Sequence, residues 1–110
     1  MIVHDTRAIA RDAVAARAGR PATALVHDSP DARLVLFRIA PGEEVPSHTN
    51  ASSVILTVLQ GSGVFKGPDV EVAVQTGAIV TYDPNELHGM CATTEPFVVL
   101  ATIAPRPGTR

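Results

Sequence analysis

The fold class of this chain follows from residues 54–66, Val54-Ile55-Leu56-Thr57-Val58-Leu59-Gln60-Gly61-Ser62-Gly63-Val64-Phe65-Lys66. The first six residues form an apolar, β-branched run of strand length, and the glycines then mark a turn before a second short run. Similar runs, bounded by Gly, Pro, Asp or Asn, lie on both sides of this stretch, at 23–27, 33–39, 70–74, 78–82 and 97–103. Turn signals at such close spacing predict about eight to ten short strands and an all-β sandwich or barrel.

The first part of the chain has a different texture. Residues 6–18 are rich in alanine and predict a short helix, with Gly19 as its stop and Pro21 just beyond it. No linker or internal repeat follows. We therefore predict an N-terminal helical extension at 1–21 and a barrel domain at 22–110.

Length and composition set limits on the function. A chain of 110 residues with 45% hydrophobic and 18% charged residues is one globular domain. The net charge of −2 gives no electrostatic reason to bind nucleic acid, and no apolar run is long enough to span a membrane. The N-terminus lacks the pattern of a secretory signal, and the single Cys91 cannot form an internal disulfide. These features predict a cytoplasmic protein.

Two histidines are the main candidates for a functional site. His48 and Asn50 are two residues apart, so on a strand their side chains would share one face. His88 follows a Pro-Asn turn, and its segment can pair with that of His48 in one sheet. We therefore predict that His48, Asn50 and His88 converge on a ligand-binding pocket inside the barrel. Tyr82 and Met90 are further candidates to line it, with core packing as their alternative role.

The spacing around these histidines resembles the two sequence motifs of the cupin family. The first motif aligns with Gly42, His48, Asn50, Val54 and Gly61, and the second with Gly77, Pro84, His88 and Ala92. The likeness covers roughly residues 22–104. It implies a small, RmlC-like jelly-roll β-barrel, here with a short N-terminal helix, and a homodimer.

The metal ligands of the family are only half retained. In metal-binding cupins, two His and one Glu of the first motif and one His of the second hold the metal. His48 and His88 match such positions, whereas Asn50 replaces a histidine and Val54 replaces the glutamate. The resemblance thus implies at most one weakly held divalent transition metal (Zn, Fe, Mn or Ni) on His48 and His88, and we expect none.

Three functions remain open from the sequence. The first is a binding protein that holds a small organic molecule between His48, Asn50 and His88 without a metal. The second is a metal-dependent enzyme of the dioxygenase or isomerase type that uses His48 and His88. The third is a structural or regulatory protein whose barrel is filled by its own side chains. Fold alone does not separate them, nor does it decide whether the protein is an enzyme.

Overall fold

The computed structural model describes residues 1–108, so the last two residues of the predicted 22–110 domain lie outside the described residues. One helix, α1 (Thr6–Asp12), precedes ten strands in this range. The strands are β1 (Val14–Ala15), β2 (Ala22–Asp28), β3 (Arg33–Ile39), β4 (Glu44–His48), β5 (Ser53–Gln60), β6 (Ser62–Lys66), β7 (Glu71–Gln75), β8 (Ile79–Tyr82), β9 (His88–Ala92) and β10 (Phe97–Ala104). Within residues 1–108, no helix has the length and apolar character that crossing a membrane requires.

The strands form two antiparallel sheets. The six-stranded sheet has the order β1-β2-β3-β10-β5-β8, and the four-stranded sheet has the order β4-β9-β6-β7. Within residues 1–108, the two sheets do not join into one closed hydrogen-bonded barrel. The predicted all-β architecture with a short N-terminal helix is confirmed.

The main core lies between the two sheets. Alternate residues of each strand point inward, as the side-chain period of two requires. From the six-stranded sheet, β5 and β10 supply most of the buried side chains, and Phe65 and Met90 come from the four-stranded sheet. The rings of Phe65 and Phe97 lie 5.6 Å apart between their centroids.

A second, smaller core lies on the outer face of the six-stranded sheet. Leu36 of β3 is fully buried there, together with Ala10 of α1 and Val98 of β10. Helix α1 therefore covers part of this face and gives it an apolar interior of its own.

The predicted helix over 6–18 is too long, because α1 ends at Asp12 and Ala13 is already extended. Arg38 of β3 explains the early end. Its guanidinium donates to the carbonyl oxygen of Ala10, to that of Arg11 at 3.1 Å and to that of Ala13 at 3.3 Å. These bonds satisfy the last carbonyls of the helix, and the chain then pairs as β1 with β2. Gly19 is therefore not the helix stop.

Candidate functional site

The two histidines meet where β4 ends and β9 begins. His48 is the last residue of β4, His88 is the first residue of β9, and they are register partners in the antiparallel ladder. A register shift between Val45 and His48 marks a bulge next to this pair. The centroids of the two imidazole rings are 4.3 Å apart, and the rings are tilted by 58°. The predicted convergence of the two segments is therefore present.

Backbone carbonyls orient both imidazole rings. The Nδ1 atom of His48 lies 2.8 Å from the carbonyl oxygen of Pro46, and that of His88 lies 3.0 Å from the carbonyl oxygen of Glu86. Because a carbonyl oxygen only accepts, each Nδ1 must carry the proton and donate it. In the neutral ring, Nε2 then presents a lone pair, and neither Nε2 has a protein partner within residues 1–108.

Asn50 lies in the turn after β4 and not on a strand, so the predicted strand parity with His48 does not apply. The reason is local hydrogen bonding, because Asn50 Oδ1 accepts from the backbone N–H of Ser52 at 2.9 Å. The carbonyl oxygen of Asn50 also accepts from the N–H of Asn85, at 2.7 Å. The bond to Asn85 joins this turn to the segment before β9. Asn50 thus lies beside the histidines although it is not on a strand.

A narrow pocket opens between the sheets at the histidines. Its volume is about 50 Å³. The described residues that line it carry no charged side chain of the Asp, Glu, Lys or Arg type, and apart from two imidazoles and one amide they are apolar or glycine. The lining residues are Phe37, Val45, His48, Asn50, Val54, Leu56, His88, Gly89, Met90, Ala101 and Ile103.

Met90 and Tyr82 take different positions. Met90 lines the pocket and is also part of the main core. Tyr82 is not among the lining residues but packs against His88, with 5.1 Å between the ring centroids. Its hydroxyl donates to the carbonyl oxygen of Lys66 at 2.9 Å, and burial raises the pKa of this phenol. Tyr82 thus supports the ring of His88 from outside the cavity.

The donor set at this site is short for a transition metal. Two imidazole nitrogens are available, but Asn50 Oδ1 is already engaged by Ser52 and Val54 has no ligand atom. Catalytic zinc sites use three protein ligands, and no group of three or more His, Cys, Asp or Glu within residues 1–108 could hold an ion. The residues present do not fit such a metal centre.

Ser52 is a buried polar residue that the sequence did not single out. It is 3% exposed, and its hydroxyl donates to the carbonyl oxygen of Pro105 at 2.6 Å. The bond joins residues that are 53 apart in sequence, so no local sequence pattern predicts it. It fastens the turn that carries Asn50 to the end of β10.

We expect Ser52→Ala to lower the free energy of unfolding by about 1–2 kcal/mol, because it removes the hydrogen bond that the buried Ser52 hydroxyl donates to the Pro105 carbonyl. Ser53→Ala is the matched control, since Ser53 is exposed, and it should change stability by less than about 0.5 kcal/mol. Urea denaturation of both variants measures the difference. Equal losses would show that the Ser52 bond does not stabilise the turn.

His88 makes stability depend on pH. Burial lowers the pKa of its imidazole, with the neighbouring His48 acting in the same direction and the Glu86 carbonyl opposing it. The unfolded chain therefore takes up a proton at a higher pH than the folded protein does. The contribution of His88 is fully present above its unfolded pKa of about 6.5 and is lost as pH falls from there towards the folded pKa.

We therefore expect the free energy of unfolding to fall between about pH 7.5 and pH 5.5, and to fall less in His88→Gln. Urea denaturation at a series of pH values measures both slopes. His27→Gln is the control, because His27 is exposed and lies outside the pocket. If His88→Gln and His27→Gln kept the same slope, burial of His88 would not be its source.

Comparisons with known proteins agree on one family. The model of the cupin domain matches residues 35–103. No curated protein matches the sequence. An RmlC-like cupin protein from Desulfovibrio desulfuricans is 33% identical, with a TM-score of 0.75 over 86% of this chain and 91% of that one.

Two further solved structures show the same fold. An uncharacterised conserved protein with a double-stranded β-helix domain from Klebsiella pneumoniae is 25% identical, with a TM-score of 0.79 over 88% of this chain and 87% of that one. The protein TT1209 of Thermus thermophilus is 21% identical, with a TM-score of 0.86 over 97% of this chain and 100% of that one. The jelly-roll prediction is thereby confirmed for this chain.

Proposed function

Because the chain belongs to the cupin family, we propose that it uses the pocket of this fold to bind one small organic molecule at His48, Asn50 and His88. One observation carries the proposal: two imidazole nitrogens that have no protein partner within residues 1–108 lie, with the Asn50 amide, at a largely apolar cavity. A few convergent polar groups in an apolar pocket are typical of a small-molecule site. The open space beside the histidines is the reason to prefer a ligand site to a barrel filled by its own side chains.

The geometry of the rings favours a defined role over packing. Each Nδ1 is held by a carbonyl two residues earlier in the chain, so each ring has one orientation and one neutral tautomer. Preorganised acceptors of this kind lose little entropy when a ligand binds. His88 is 6% exposed, and Tyr82 packs against its ring. Packing therefore holds the ring of His88 in place before a ligand binds, whereas the exposed His48 is oriented only by its bond to Pro46.

A metal-dependent enzyme is the second candidate, and the same ring orientation is what favours it. Histidines that ligate metals donate their other ring N–H to a carbonyl or carboxylate, as both Nδ1 atoms do here. The lack of a third good donor in the described part of the chain argues against a tightly held ion. We therefore place the binding function first.

The test compares untagged wild-type protein with the double variant His48→Ala/His88→Ala. We expect substoichiometric metal in both, and small-molecule hits from a fragment screen by protein-observed NMR that shift signals near the pocket in the wild type alone. The control is His4→Ala/His27→Ala, which removes two exposed histidines outside the pocket and should keep the hits. Near-stoichiometric metal that only the pocket variant loses would contradict the proposal and favour the enzyme.

The homodimer and the cytoplasmic location stay predictions, as does the boundary between residues 21 and 22. The dimer follows from the resemblance to small cupins, and light scattering of the purified protein measures it directly.

A further inference from the structure

We infer that the ligand of this pocket is a neutral hydroxyl compound, whose O–H group lies among His48, Asn50 and His88 and whose carbon part enters the apolar end of the cavity. The inference rests on the proposed function and goes further, because it names the chemical class that the pocket selects. The hydrogen-bonding groups of the pocket, the charge of its lining and its volume each support this inference.

The two histidines require a ligand atom that donates a hydrogen bond. Both Nδ1 protons are used by backbone carbonyls, so the neutral rings can only accept through Nε2. The Nε2 atom of His88 is not sealed from solvent, since it has no protein partner and yet is not among the inaccessible polar atoms of the described residues. A ligand atom that reaches these rings must therefore bring a hydrogen.

Asn50 requires a hydrogen-bond acceptor on the same ligand group. Its Oδ1 is fixed towards the N–H of Ser52, which can only donate, so the orientation of the amide is determined. The Nδ2 group then has two hydrogens to offer, in a residue that lines the pocket. A hydroxyl group meets both requirements, because it donates its single hydrogen to the imidazole of the buried His88 and accepts from the amide, while the exposed His48 can bind water instead.

A carboxylate and an ammonium group each satisfy only one of these two requirements. A carboxylate accepts but has no hydrogen for the two imidazole lone pairs. An ammonium group donates but leaves the Asn50 amide without an acceptor. Leaving a buried polar group unpaired costs about 1–3 kcal/mol, which is about five-fold to 150-fold in affinity.

The charge of the pocket lining also disfavours a carboxylate and an ammonium group. Among residues 1–108, no Lys, Arg, Asp or Glu side chain lines the cavity, so neither a carboxylate nor an ammonium group would find a counter-ion in this part of the chain. Moving a charge into an apolar cavity without a partner is strongly unfavourable. The field of Glu86 acts on His88, and its negative sign disfavours an anion further.

The pocket also limits the size of the ligand. A cavity of about 50 Å³ holds roughly three to five water molecules, at about 10–15 Å³ for each. A branched group of three or four carbons is the largest part that enters without movement of the walls. Probes for the site should therefore be small and should differ only in their polar group.

Isobutanol, isobutyrate and isobutylamine share one carbon skeleton and carry a hydroxyl, a carboxylate and an ammonium group. Each is titrated into the protein at about pH 8, above the ordinary pKa of histidine, which is about 6.5, and the ring signals of His48 and His88 are followed by NMR. We expect isobutanol to shift them saturably and the two charged probes to bind at least about ten-fold more weakly.

The outcomes separate this inference from the proposed function. Tighter binding of isobutyrate or isobutylamine than of isobutanol would overturn the hydroxyl class and leave the pocket as a binding site. Saturable shifts from none of the three probes would overturn the inference together with the proposed function.

Asn50→Asp provides a second test on the same probes. The substitution keeps an oxygen to accept from Ser52 N–H but removes the amide hydrogens and adds a negative charge. We expect it to weaken isobutanol binding at least about ten-fold and to make isobutylamine the better probe. Unchanged amide spectra away from the pocket control for folding, and an unchanged preference for isobutanol would overturn the role of Asn50.

Discussion

Gly61→Ala is expected to lower the free energy of unfolding by about 3 kcal/mol or more, or to prevent folding altogether. Gly61 has a φ of +83° and connects β5 to β6. A Cβ at this position would overlap the carbonyl oxygen of Pro96, which is backbone and cannot rotate away. The substitution therefore combines left-handed backbone strain with a collision between two chain segments.

Gly77→Ala separates the two causes. Gly77 has a φ of +96°, but a Cβ there would meet no atom within 4 Å. It should cost only the strain, about 1–2 kcal/mol. Chemical denaturation of both variants gives the comparison. A loss at Gly61 no larger than the loss at Gly77 would show that the strands shift freely and that the contact with Pro96 is not a constraint.

Leu36→Ala is the second large effect that we expect, with a loss of about 2–5 kcal/mol. The Leu36 side chain is fully buried between α1 and the six-stranded sheet, where it contacts the cluster of Ala10 and Val98. Removing it loses the burial of the side chain and leaves a cavity that the sheet cannot close. Because α1 packs on this cluster, its amides should also exchange with solvent faster.

Leu25→Ala is the matched control, since Leu25 lies on the neighbouring strand β2 and is 62% exposed. It should change stability by less than about 0.5 kcal/mol. Denaturation curves and hydrogen exchange on both variants provide the measurement. Similar losses at the two leucines would contradict the assignment of a separate core under α1.

The positions of the strands could be predicted from the sequence because turn residues lie at both ends of the apolar runs. The run 33–39 became β3 with both ends as predicted, since Asp31 and Pro41-Gly42 limit it on either side. The helix could not be bounded in the same way. Alanine content favours a helix to residue 18, but Arg38, more than twenty residues away, caps the last carbonyls and ends it at Asp12.

The candidate site was predictable only in part. Motif spacing placed His48 and His88 in the same pocket, because register partners on adjacent strands lie side by side. It did not predict that Asn50 leaves the strand, since this depends on a side-chain bond to Ser52. The bond from Ser52 to Pro105 joins residues 53 apart and depends on how β10 meets β5. Such contacts exist only once the sheets are formed.

Pro46 has a consequence for the behaviour of the protein in concentrated solution. It lies within β4, an outer strand of the four-stranded sheet, and its carbonyl orients His48. An outer strand with free backbone groups can recruit strands from other molecules and start aggregation. Proline has no N–H to offer an incoming strand, and the bulge beside it disturbs the spacing that such pairing needs. The residue that prepares the pocket thus also protects its open edge against intermolecular sheet growth.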